Sequence, residues 1–275
     1  MAEKKKFTFI SLASGSSGNC YYLRTSAVTL LIDAGIGPRT MKKRLAQYNL
    51  NYDGIDAILI THDHADHIKG VGYFGEKCNV PVYATEKVHA GMNRSYCMTY
   101  KLTNSARVVE KEVTFSLGDV QITPFEVSHD STDSVGYLLQ IGDLNFCVCT
   151  DVGHLSETVI RYASQAQLLV LESNYDEDML QRGPYPYHLK QRIVGDNGHL
   201  SNADAARFVR EFAHKDVRHI WLCHLSQDNN HPQLAYKNME QALMDTGHIV
   251  GEDVQLDVLK RLTPSDMYIY EYTSK

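Results

Sequence analysis

The sequence predicts an α/β fold in which two mixed β-sheets are sandwiched between outer helices. Three observations point there. The order of strands and helices occurs twice along the chain. Residues 55–60, 168–171 and 219–223 are short, mainly apolar runs, as expected for strands buried on both faces. No apolar stretch approaches the roughly 20 residues of a membrane span. No repeat or low-complexity linker divides the 275 residues, so one domain over 1–275 is expected.

The elements follow in order. Residues 7–13 alternate and contain β-branched and aromatic side chains, which predicts a strand. The small residues Ser14-Gly15-Ser16-Ser17-Gly18-Asn19 make a turn. Strands follow at 20–23 and 28–32, the second running into Asp33-Ala34-Gly35. Residues 39–48 have helical character, and Pro38 suits a first turn. The strand at 55–60 runs directly into Thr61-His62. A helix, a strand at 80–83 and a helix over 86–94 come next. The middle is strand-rich, at 112–115, 120–125, 134–141 and 145–149, with Gly142-Asp143 as a hairpin turn. Helix 155–163, strand 168–171 and helices 189–193 and 203–213 follow, the last capped by Ser201 or Asn202. Strand 219–223 and helix 233–244 complete the reading.

Composition narrows the function classes. Apolar residues make up 43% and charged residues 22%, which excludes a disordered, collagenous or coiled-coil chain. Lys and Arg number 27 against 33 Asp and Glu, a formal net charge of −6. That argues against holding nucleic acid by bulk charge and leaves a localised groove open. The basic start Met1-Ala2-Glu3-Lys4-Lys5-Lys6 precedes an apolar stretch too short and too interrupted for a secretory leader. The six cysteines are scattered without a CxxC pair, which fits free buried thiols in a reducing cytoplasm.

The strongest chemical signal is Thr61-His62-Asp63-His64-Ala65-Asp66-His67. Three histidines and two aspartates fall within six residues, directly after an apolar strand. His62 and His64 in an extended loop project to one side and can reach one ion, while Asp66 and His67 are available to a second. Imidazole and carboxylate without thiolate suit zinc, with manganese or iron as alternatives. One loop cannot close a two-metal site. His129, Asp151 and His224 each follow a β-like run in the same way as His62. A lone histidine at a strand end is usually structural. Four strand ends each delivering a ligand type amount to a coordination set.

These residues resemble the metallo-β-lactamase superfamily in type and order, with Asp33 matching its first motif. The resemblance implies an αββα domain and two divalent metal ions. His62, His64 and His129 would hold the first, Asp66, His67 and His224 the second, Asp151 would bridge, and Asp33 would brace the loop. Two ions about 3.5–4 Å apart share a water and bring its pKa toward neutrality. The resulting hydroxide attacks an acyl carbon or a phosphorus, and the fold alone does not choose.

Two further segments bear on that choice. Val170-Leu171-Glu172-Ser173-Asn174 sets a carboxylate past a buried strand, and Gly198-His199-Leu200-Ser201-Asn202 sets an imidazole at a helix start. A carboxylate bonded to a histidine can orient it to serve a leaving oxygen. These segments are similar to those of RNase Z and related nucleases. With Ser14 to Asn19 and His224-Leu225-Ser226, they look closer still to the YycJ/WalJ family of bacterial exonucleases. That resemblance implies a cytoplasmic nuclease acting on nucleic acid, DNA more than RNA, as a 5′ exonuclease linked to DNA repair. Asp66, Glu172 and His199 are the expected catalytic set. Ser16, Ser17, Asn19 and Ser201 are the expected substrate contacts. Glu172 lies only 21 positions after Asp151, which leaves no room for an inserted β-CASP domain.

Basic residues available to a backbone include Lys42, Lys43, Arg44, Arg94, Lys101, Arg107, Lys190 and Arg192. Tyr73, Phe74, Tyr96, Tyr100, Tyr185 and Tyr187 could stack on bases. Met92, Met98 and Tyr100 are expected to form a rim, and His154 is a further site histidine to consider. The alternatives are a glyoxalase II- or lactonase-type hydrolase, and a non-catalytic DNA-binding protein with a vestigial site. Protein partners are not indicated.

Overall fold

A computed structural model describes residues 3–273; Met1 and Ala2 of the basic start lie outside the described residues. The chain forms two seven-stranded sheets packed face to face with helices outside. The first sheet holds β1 (Lys4–Ala13), β2 (Cys20–Arg24), β3 (Thr29–Ile32), β4 (Ala57–Leu59), β5 (Val82–Ala84) and β6 (Ala106–Val108). The second holds β7 (Phe115–Leu117), β8 (Val120–Glu126), β9 (Val135–Ile141), β10 (Leu144–Cys149), β11 (Leu168–Glu172), β12 (His219–Cys223) and β13 (Gln255–Val258). The last strand, β14 (Tyr268–Thr273), returns to pair antiparallel with β1. From β3 to β6 and from β10 to β13 the strands run parallel.

Alternation along β1 shows how the layers form. Phe7 and Phe9 point between the sheets, against Tyr21, Phe146 and Trp221. Ile10 and Leu12 point outward, into a core shared with α1 (Pro38–Leu45), α2 (Ala65–Ile68) and α3 (Glu86–Arg94). A third core lies outside the second sheet, under α4 (Glu157–Ala163), α7 (Asn202–Phe212) and α8 (Pro232–Asp245). Two further helices, α5 (Glu177–Arg182) and α6 (Tyr187–Val194), build a small apolar cluster of Tyr175, Leu180 and Ile193 beside the second sheet.

The structure departs from the sequence expectations mostly at sheet edges. The strand expected at 112–115 begins at Phe115, because Glu112 sits in a left-handed turn at φ 63°. Strands β6, β13 and β14 and helix α5 add to the elements that the sequence pattern predicts. Met92 and Met98 are core residues rather than a rim, and Phe74 is fully buried, so it cannot stack on a base. The cysteines are all free, yet Cys78 is exposed and Cys97 half-buried. Among the described residues no helix is long and apolar enough to cross a membrane.

Candidate active site

The expected ligand set gathers at the C-terminal ends of the strands, on one shared edge of the two sheets, with Asp66 and His67 carried on α2 just beyond β4. Asp33 follows β3, His62 follows β4, His129 follows β8, Asp151 follows β10 and His224 follows β12. A single bridge between His62 and Ser134, with Val135 N–H donating to the Thr61 carbonyl at 3.0 Å, ties the two sheets together there. Asp33, Asp151 and His224 adopt left-handed backbone, at φ 58°, 54° and 53°. Each such residue costs on the order of 1–3 kcal/mol, and such strain concentrates at functional sites. Here it turns the chain sharply as each strand ends.

The side chains converge in two groups. His62, His64 and His129 form one; Asp66, His67 and His224 form the other; His62, His67 and Asp151 link them. The Asp151 carboxylate spans both, with Oδ1 3.6 Å from His129 Nε2 and Oδ2 3.2 Å from His67 Nε2.

The ring nitrogens facing away from the centre are all engaged. In the first group the partners are neutral: the Thr61 hydroxyl at 3.0 Å from His62 Nδ1, the Asp130 carbonyl at 3.2 Å from His64 Nε2, and the Gly198 carbonyl at 3.0 Å from His129 Nδ1. In the second they are carboxylates: Asp33 at 2.7 Å from His67 Nδ1 and Glu172 at 2.9 Å from His224 Nδ1. Such outer partners fix which nitrogen of a metal-binding imidazole faces the ion. At the centre, His62 Nε2 and His224 Nε2 are buried without any hydrogen-bond partner. Two buried, unspent imidazole nitrogens aimed into a cluster of carboxylates fit a divalent cation.

The electrostatics follow the partners. Burial drives the His62 pKa well down, with the neighbouring His67 adding to it, and burial likewise lowers His129. Burial also opposes protonation of His67 and His224, but carboxylates outweigh it. Asp33, Asp151 and Asp66 hold His67 well above its usual value, and Asp151, Asp66 and Glu172 raise His224 to about 10. The negative field that draws protons there would equally draw a cation.

Glu172 has no exposed surface and meets no solvent. Its Oε1 bonds both His224 Nδ1 and His199 Nδ1, the latter at 2.8 Å, while Oε2 accepts from the Val152 and Leu200 N–H groups. It is therefore a positioning residue, and its grip on His224 is an addition to the expected pairing with His199. His199 is partly exposed at the site; burial disfavours its charge, but Glu172 raises its pKa.

The expected substrate contacts divide. Ser16 and Ser17 are exposed on their loop. Asn19 is fully buried, its amide 2.9 Å from His67 Nε2 and 3.3 Å from Asp66 Oδ2, so it braces the ligands. Ser201 is also buried and caps α7 by accepting from Asp204 N–H. Among the basic residues, the Arg44 guanidinium is a strut to the Leu12 and Leu262 carbonyls, and Lys190 reaches the Gln181 carbonyl. His154 lies 2.8 Å from the Asp196 carbonyl and joins none of the ligand groups. Tyr96 and Tyr187 are the most exposed of the expected aromatics. Sequence reasoning missed the role of Thr61 beside His62, and those of Gly198, Asp130 and Asn174, whose partners lie far away in the chain; the Asn174 side-chain amide donates to the His224 carbonyl at 2.8 Å.

The comparisons agree with this geometry. The Beta-lactamase superfamily domain profile matches residues 29–225. The chain is 37% identical over 250 residues to exodeoxyribonuclease WalJ of Streptococcus pneumoniae, covering 91% of this chain and 93% of that relative. It is 36% identical over 248 residues to exodeoxyribonuclease YycJ of Bacillus anthracis, covering 90% and 93%. The crystal structure of the metallo-β-lactamase fold protein YhfI from Bacillus subtilis superposes with a TM-score of 0.68 at 16% identity, over 97% of this chain and 99% of that one.

Proposed function

This chain belongs to the β-lactamase superfamily, and we propose that it is a two-metal exonuclease that shortens DNA from the 5′ end. One observation carries the reading: two ligand triads linked through Asp151, with the Glu172-held His199 beside them. We assign His62, His64 and His129 to one divalent ion and Asp66, His67 and His224 to the other, with Asp151 between. Zinc, manganese and iron all accept these donors. Ions held there supply positive charge for a phosphodiester and lower the pKa of water.

The chain's own residues set the rest. Asp33 and Glu172 lock His67 and His224 by their Nδ1 atoms, leaving each Nε2 toward the centre. Glu172 also takes His199 Nδ1, so His199 Nε2 is the nitrogen left to donate to a phosphate or leaving oxygen. Burial opposes a charge on His199, but the Glu172 carboxylate outweighs it and raises its pKa, which favours the form that carries that proton. The free thiols support a reducing, cytoplasmic setting.

Metal-loaded protein is offered 5′- and 3′-labelled single-stranded and duplex DNA, matched RNA, a thioester and a lactone. The expected result is stepwise release from the 5′ end of DNA, faster than from RNA. Thioester or lactone hydrolysis with no strand cut would overturn the reading.

A further inference from the structure

Arg192 lies in the last turn of α6 and makes a forked contact to Asp130: Nε to Oδ2, and Nη2 to Oδ1 at 3.1 Å. Asp130 adjoins the first ligand group. Its Oδ1 is 3.5 Å from His129 Nε2, and its carbonyl is 3.2 Å from His64 Nε2. The guanidinium is thus held at the rim of that group, although the Arg192 side chain is 55% exposed. A half-exposed ion pair contributes little to stability, so its placement needs another reason.

The support beneath Arg192 is closely packed. The last turn of α6 packs on Gly198, where an added Cβ would lie 2.1 Å from the Ile193 carbonyl. The Ile193 carbonyl accepts from His199 N–H at 2.9 Å, and the Gly198 carbonyl holds His129. One helix end therefore fixes Arg192, His199 and a ligand histidine together. A fork of N–H donors that fits a carboxylate fits a phosphate equally well.

From this geometry we propose that Arg192 is a phosphate-binding residue, which exchanges the Asp130 carboxylate for a phosphodiester of the substrate. The inference rests on the nuclease reading and extends it. Asp130 holds the fork in place in the free protein and competes with the phosphate for it. This supplies a local cationic contact in a chain whose net charge is −6.

The test uses metal-loaded wild-type protein, Arg192→Ala, Arg192→Lys and Asp130→Asn, with metal content measured for each. KM for a labelled oligonucleotide is followed from low to high salt. Arg192→Ala is expected to raise KM by about tenfold and to reduce the salt slope by about one. Arg192→Lys keeps the charge but not the fork and should fall between. Asp130→Asn should lower KM, since the competitor is gone. Unchanged KM and salt slope in both arginine variants would overturn the inference, as would a loss confined to kcat. If Arg192→Ala loses metal, Arg192→Lys decides by the same two readings. Wild-type protein that cuts no nucleic acid is a different failure, that of the nuclease reading itself.

Discussion

Strand β12 begins with His219 and hands over to His224, and the two imidazoles five residues apart have opposite surroundings. Both are nearly inaccessible, and both touch a carboxylate. His219 stacks on Trp221 at 3.9 Å, with Nδ1 2.5 Å from the Tyr270 hydroxyl and Nε2 2.9 Å from Asp257. Both of its nitrogens are spent. His224 spends Nδ1 on Glu172 and leaves Nε2 without a partner, on left-handed backbone. Burial lowers the His219 pKa, whereas carboxylates overcome burial and raise that of His224. Neither burial nor a carboxylate partner marks a functional histidine. What sets His224 apart from His219 is a buried nitrogen left unpaired, on left-handed backbone that turns the chain as β12 ends.

The sharpest way to break this contrast is at Asp151, which touches both ligand groups. Asp151→Asn is expected to lower nuclease turnover by roughly 10³-fold or more. Added zinc or manganese should raise the melting temperature of the wild-type protein, and much less that of the variant. A fully active Asp151→Asn protein would remove the carboxylate from the site. Smaller effects are expected where the carboxylate only positions a ligand. Asp33→Asn and Glu172→Gln should each cost about 10–100-fold in metal affinity or activity. Glu172→Gln should cost more, because Glu172 holds two imidazoles and Asp33 one. Metal titrations of both proteins check the ranking, and the reverse order would contradict it.

The same contrast explains what the sequence reveals. The His62–His67 loop is legible because its donors are crowded together after an apolar run. His129, Asp151 and His224 are legible because polar donors following buried strands are placed alike. Asn19 looks like a substrate contact because polar residues in a small-residue loop are usually accessible, and Ser201 because a helix start can bind a phosphate, although it is also read as the N-cap that it proves to be. In the structure the ligands and a helix N-terminus consume them. The Glu172 grip on His224, the Gly198 carbonyl under His129 and the Asp130–Arg192 fork join residues 52, 69 and 62 positions apart, so no local pattern announces them. The fold is legible in its interior and blurred at its rims. The sheets have β14, β6, β13 and β7 as edges, and these are the strands missed or misplaced. An edge strand has a neighbour on one side only, so exposed positions dilute its apolar pattern, as in Tyr268–Thr273.

The smallest effect on activity is expected at the other end of β12, and there the consequence is one of stability. His219→Gln removes a buried ring with two satisfied nitrogens, which should cost about 1–3 kcal/mol at pH 7. At roughly 2–4 °C per kcal/mol, thermal melting should show a loss of several degrees. Its pH dependence has a definite sign. Burial lowers the folded-state pKa, so between the ordinary value of 6.5 and that lower value the unfolded chain binds more protons than the folded one. Stability then falls as the pH drops below about 6.5, and the substitution removes this contribution. The melting gap between wild type and His219→Gln should therefore narrow from pH 7 toward pH 5, with kcat/KM at pH 7 unchanged. A constant gap would mean that His219 is not held neutral by burial. A tenfold loss of activity would mean that the two ends of β12 work as one unit, and the contrast between a spent and an unspent imidazole would lose its meaning.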